Sequence, residues 1–308
     1  MFKIAVLSFF VLLFTIPLSA QQGDELLVYA VKGKVSSIFN NQESPVKIGK
    51  VLPAASTIRT EKGASLTVIC SKGKPYSVSK EGTYSVAKWK DSCRTGGNSV
   101  SSSYFKFVWN QLYAYSPEHK EEMRKKTEMA VVRGDEPETS IAKKKPVLEF
   151  SRGMDTLNYD GNNFPLSWNG LFYTGKYIFS LYNEKGKLLY RDSTRYTYIN
   201  TDDLKQLLKE GGSYRWTIGG KGLITSKKRL LRYVPAQKTA DHLNKILTPL
   251  DMPEDTASFY FRVAYLLEKD NYLAQAYNWY QKANDASDSE VELYRDQLIR
   301  FRNEFWIR

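Results

Sequence analysis

Apolar and polar positions change their period repeatedly along this chain. From 24 to 90 they form short strand-like patterns at Leu26 to Val31, Lys34 to Phe39, Ser56 to Thr60, Ala64 to Cys70, Pro75 to Ser79 and Thr83 to Trp89. Turn signals at Lys32-Gly33, Asn40-Asn41, Lys62-Gly63 and Glu81-Gly82 separate them, which predicts a compact all-β unit. Between Val100 and Ala130 the period lengthens to that of a helix, with Phe105, Val108, Trp109, Leu112 and Tyr113 on one face. Glu118 to Lys126 is rich in charge, and Gly134 to Pro146 contains two prolines and Lys143-Lys144-Lys145, the composition of a solvated linker. Strand patterns return at Phe164 to Trp168, Tyr177 to Tyr182, Leu188 to Tyr190, Thr197 to Ile199 and Gly212 to Ile218, with a short helical stretch at Asp202 to Lys209. From 238 to 305 the pattern is helical, with helices expected near 239–247 and 289–304 around a central helical pair.

The first residues change the picture from a two-state alternation to an exported chain. Lys3 precedes an apolar run from Ile4 to Ile16, and Pro17-Leu18-Ser19-Ala20 offers a cleavage point, so residues 1–20 read as a signal peptide. The run is shorter than the roughly 20 residues a spanning helix needs. No lipid-acceptor cysteine follows it, and no transmembrane segment is expected after cleavage. The expected address is the periplasm or cell surface of a bacterium. In that oxidising compartment Cys70, at the end of a core strand pattern, and Cys93 are expected to form a disulfide worth about 3 kcal/mol in the chain-entropy model, two buried thiols being the alternative.

Three stretches resemble known families. Val31-Lys32-Gly33-Lys34-Val35, Ile48-Gly49-Lys50-Val51-Leu52, Ile58-Arg59-Thr60 and the strand leading to Cys70 resemble the periplasmic domain of the FecR family. Members that regulate transcription carry a cytoplasmic helical domain and a membrane span ahead of this module, whereas here a signal peptide stands directly before it. A Leu-x-Trp strand ending at Trp168, a long alternating hairpin, a leucine-bearing connection and Tyr214-Arg215-Trp216 resemble a fibronectin type III or immunoglobulin-like sandwich, which implies that Trp168 and Trp216 are core residues. Tyr260, Val263, Ala264, Leu267, Ala276, Tyr280 and Ala283 fall at the spacings of a tetratricopeptide repeat. The expected fold is therefore multidomain and mainly β with α: a FecR-like all-β domain at 24–93, a helix and charged linker at 94–146, an immunoglobulin- or fibronectin-like β-sandwich at 147–236, and tetratricopeptide-like helices at 237–308. A lone repeat cannot bury both faces, so the helices are expected to stack on the sandwich or on another protein. Removing 238–308 is expected to leave the β-domains folded.

Chemistry is sparse by comparison. Two cysteines and two histidines are too few for a structural zinc cluster, and no nucleophile elbow, zinc-protease helix or phosphate-binding glycine loop occurs. No cofactor and no catalytic residue is expected, and His119 and His242 read as solvated imidazoles in polar helices. The net charge of +12 is partly concentrated at Arg124-Lys125-Lys126, Lys143-Lys144-Lys145 and Lys227-Lys228-Arg229, which favours anionic envelope polymers or lipid headgroups; nucleic acid is not expected outside the cytoplasm. The expectation is a non-enzymatic binding or scaffolding protein that captures a protein partner through its C-terminal helices, with Tyr272, Tyr277 and Trp279 as anchors. A glycan-active hydrolase of the envelope and an accessory sensor for a membrane signalling protein are the alternatives, the former because carboxylates paired only in space leave no spacing signature.

Overall fold

A computed structural model of the chain describes residues 25–93, 100–116, 146–250, 252–287 and 291–307. The expected signal segment, His119 and the basic clusters at 124–126 and 143–145 lie outside the described residues. Among the described residues strand and helix take nearly equal shares, about 33% and 35%, so the architecture expected to be mainly β with α is mixed there.

The N-terminal unit contains β1 (Leu26–Lys32), β2 (Val35–Phe39), β3 (Gln42–Pro45), β4 (Val51–Leu52), β5 (Thr57–Thr60), β6 (Ser65–Cys70), β7 (Pro75–Val78) and β8 (Gly82–Ser85). They form two four-stranded sheets, ordered β4-β1-β6-β7 and β3-β2-β5-β8. Asn40 and Asn41 turn β2 into β3 with both residues at positive φ, as a tight hairpin requires. Gly33 also has positive φ, and a Cβ there would come within 3.1 Å of Ala64. Leu26 and Val28 of β1 join Leu66, Val68 and Cys70 of β6 and face Val35 and Ile58 of the other sheet. Their neighbours Leu27, Tyr29 and Ile69 point the opposite way and are equally buried. The near-continuous apolar runs of β1 and β6 therefore mark a sheet covered on both faces. The strand pattern expected to reach Trp89 stops at Ser85, and α1 (Val86–Ser92) follows, placing Val86 in the unit's core.

The second face is covered by α2 (Val100–Tyr115), whose Tyr104, Phe105, Val108 and Leu112 are buried against Leu27 and Tyr29.

The middle unit contains β9 (Val147–Glu149), β10 (Thr156–Tyr159), β11 (Pro165–Ser167), β12 (Asn169–Leu171), β13 (Tyr177–Asn183), β14 (Leu188–Thr194), β15 (Tyr198–Asn200), α3 (Thr201–Leu204), β16 (Ser213–Gly220) and β17 (Arg229–Tyr233). Five strands make one sheet in the order β10-β17-β16-β13-β14, antiparallel except for the parallel pair β10-β17. Two short ladders, β11-β15 and β12-β9, supply the opposing side chains. Trp168 and Trp216 are buried as expected; Trp216 stacks on Phe179 at 5.9 Å and Trp168 meets Tyr177 edge-on at 5.6 Å.

The C-terminal helices are α4 (Ala236–Leu247), α5 (Thr256–Lys269), α6 (Leu273–Ala286) and α7 (Glu292–Phe305). Asp255 caps α5 by accepting from the Ser258 amide at 2.7 Å. Ala264, Ala276 and Ala283 are fully buried between α5 and α6, alongside Val263, Leu267 and Tyr280; Tyr260, expected inside with them, is only half-buried. On the middle unit, Phe164 packs edge-on against Phe301 and Phe305, and the Ser167 hydroxyl donates to the Phe305 carbonyl at 2.9 Å. On the N-terminal unit, Thr67 donates to the Pro253 carbonyl at 3.0 Å. One hydrophobic cluster thus runs from β1 through α2 and the helices into the middle unit. That shared core argues against separable β-domains, because removing the helices would strip apolar cover from both.

Candidate functional site

Where the N-terminal sheet, α2, α5 and α7 meet, six polar side chains, Arg262, Glu254, Tyr29, Tyr104, Ser258 and Tyr294, are sealed from water. The Arg262 guanidinium donates from Nε to both carboxylate oxygens of Glu254 at 3.0 and 3.1 Å, and from Nη2 to Oε2 at 3.0 Å. Both side chains are nearly inaccessible, 4% and 7% exposed. Nη1 also donates to the Ile246 carbonyl at 3.2 Å. Glu254 accepts the Tyr29 hydroxyl at 2.9 Å, which lies 3.0 Å from that of Tyr104. The Ser258 hydroxyl joins Asp255 at 3.0 Å and Tyr294 at 2.9 Å. Burial pushes the hydroxyls of Tyr29 and Tyr104 well above the usual phenol range, with the Glu254 carboxylate adding to it. Burial and the nearby Asp255 carboxylate raise Tyr294 as well. A network so matched and so dry has the chemistry of a clamp between the first β unit and the helices. The sequence reading missed it. Its one visible sign was Tyr29 inside an unbroken apolar strand, where a hydroxyl must find a partner.

Of the residues expected to anchor a partner, Tyr272 is buried, while Tyr277 and Trp279 are both half-buried. Tyr272 is buried and stacks on His242 at 4.8 Å, while Tyr277 stacks on Phe301 at 6.0 Å; both serve the interior packing. His242, expected to be solvated, is half-buried, with Nε2 3.1 Å from Asp270 Oδ2. Trp279 faces outward, 5.4 Å from Tyr260 and 6.4 Å from Phe259, with Lys282 Nζ 4.2 Å above its ring. This half-buried aromatic cluster with a cation over it is able to contact another surface at low conformational cost.

Cys70 ends β6 and Cys93 caps α1, and both are buried in the N-terminal core cluster. Of the basic run Lys227-Lys228-Arg229, the two lysines are exposed. Arg229 turns inward, its guanidinium 3.3 Å from the centre of the Phe150 ring and 5.8 Å from that of Trp216. Burial lowers its pKa, partly offset by Asp155 3.6 Å away. The run is thus weaker as a surface charge than its sequence implies.

Four cavities of about 640, 510, 290 and 720 Å³ lie among the described residues, and each is lined by a single acidic side chain: Asp255, Asp155, Glu25 and Glu43, respectively. None of these four offers the paired carboxylates that glycan hydrolysis uses. Among the described residues no helix is long and apolar enough to cross a membrane. No family model matches the chain, and no curated protein matches it.

Proposed function

We propose that the chain is an exported, non-enzymatic scaffold of the bacterial envelope, in which tetratricopeptide-like helices join a FecR-like unit and an immunoglobulin-like sandwich and present their outer face to a protein partner. The observation that carries this reading is the division of the helical aromatics. Tyr272 and Tyr280 are buried and Tyr277 stacks on Phe301, whereas Trp279, Tyr260 and Phe259 form a separate half-buried cluster with exposed Lys282 over it. The sandwich reading is supported by the strand order β10-β17-β16-β13-β14 with its buried tryptophans, and the helical reading by the alanines that let α5 and α6 approach closely. The apolar start of the chain supports export.

Site-specific photo-crosslinking in the native envelope tests this. A photoreactive residue at Trp279 should give one discrete adduct, and one at exposed Glu184, on the β13–β14 turn, should give none. Equal labelling from both positions, or none from Trp279, would sink the reading.

A further inference from the structure

The three most exposed large apolar side chains among the described residues are Ile224 (91%), Tyr196 (67%) and Phe172 (61%). They lie far apart in sequence, and the sheet register brings them together. Tyr177, the first residue of β13, pairs with Thr194 at the end of β14 and with Gly220 at the end of β16. The segments leaving these three strand ends are 172–176, 195–197 and 221–225, so all three apolar tips project from one end of one sheet. Gly220 also bridges to Leu223, which holds the Ile224 loop beside that end.

Two further features set this end apart. Phe172 has φ +58, a backbone region that bulky residues enter only at a cost, so its outward aromatic ring is held there by the surrounding structure. The same three segments carry exposed Lys176, Arg195 and Lys221 and not one carboxylate. Apolar tips ringed by cations match a surface that is negative outside and apolar just beneath. The tips stand on separate loops with polar Thr174, Thr197 and Thr225 among them. Separate tips suit a soft medium that each side chain enters independently, whereas protein interfaces gather their anchors into one packed centre.

We propose that this end of the sandwich docks on an anionic lipid bilayer, Phe172, Tyr196 and Ile224 entering the interface while Lys176, Arg195 and Lys221 contact phosphate headgroups. The inference concerns a different surface from the Trp279 cluster and stands without the partner reading.

Co-sedimentation of the chain lacking residues 1–20 with vesicles of phosphatidylglycerol and phosphatidylcholine in equal parts tests it. Binding should weaken as salt rises and be lost on pure phosphatidylcholine. Phe172→Ser and Ile224→Ser should each weaken it about tenfold, from the apolar area withdrawn from water, and Lys176→Gln, Arg195→Gln and Lys221→Gln about fivefold each. All five side chains are exposed, so the variants should melt like the parent, which separates lost docking from lost folding. Three results would overturn the proposal: no binding to the mixed vesicles, equal binding to pure phosphatidylcholine, or binding indifferent to Phe172→Ser and Ile224→Ser combined. Capture of a soluble acidic polypeptide with no vesicle binding would assign the surface to protein and overturn it too.

Discussion

Glu254→Ala would leave the Arg262 guanidinium charged and buried without its carboxylate. Three donor contacts of 3.0 to 3.1 Å vanish, and Tyr29 loses its acceptor but keeps Tyr104. Breaking one half of a buried pair costs about 3 to 5 kcal/mol. The Ile246 carbonyl at 3.2 Å and the Thr248 carbonyl at 3.4 Å still accept from Arg262, which places the loss at the lower end, about 3 kcal/mol. In a chain of this size that corresponds to a fall of about 5 °C in Tm. Urea unfolding followed by circular dichroism would measure it, alongside Arg262→Met and the double variant Glu254→Leu/Arg262→Met. Because the double variant leaves no stranded charge, it should cost at least about 2 kcal/mol less than the sum of the single changes. A loss from Glu254→Ala below about 1 kcal/mol, the range of an exposed pair, would refute the reasoning, as would strict additivity.

Three further outcomes follow from the packing and the titrating groups. Ala276→Arg should cost about 3 kcal/mol or more by overpacking and stranding a charge between α5 and α6, while Lys282→Ala should cost about 0.5 kcal/mol from its exposed contact with Trp279; comparative thermal melts would check both. Tyr29, Tyr104, Tyr280 and Tyr294 all hold their protons more tightly in the folded chain than in the unfolded one, so their contribution is complete below the unfolded phenol value of about 10 and is lost as pH rises beyond it. Chemical denaturation at a series of pH values should show a steep alkaline decline above that value, shallower in Tyr104→Phe. Cys70 and Cys93 of exported protein should be bridged, so that alkylation in denaturant without reductant labels neither, and labelling of both would show the bridge is not made.

Much of the β framework was legible because its signals are local. Turn residues and period-two alternation place β1, β2, β5, β6, β13 and β16 within a residue or two, and burial of Trp168 and Trp216 follows from strands that alternate. The strands β3, β4, β9, β10, β12 and β17 escaped notice, being two to five residues long and so too short for a period to show. Thr83 to Trp89 read as one strand because Tyr84 and Val86 alternate, whereas Val86 and Trp89 stand three apart, the spacing of the helix that begins at Val86. The Arg262–Glu254 clamp could not be read, since its two charges belong to an ordinary polar background until the fold closes over them. The apolar tips of the five-stranded sheet were illegible for a related reason: only the register of β13 with β14 and β16 brings Phe172, Tyr196 and Ile224 to one end.

If the C-terminal helices fasten both β units through one core, those units cannot melt independently of each other or of the helices. Scanning calorimetry of the chain lacking residues 1–20 reads this directly. The shared core predicts one transition, with calorimetric and van't Hoff enthalpies that agree. Two or more resolved transitions, or a first β unit that melts unchanged when 237–308 is deleted, would contradict it.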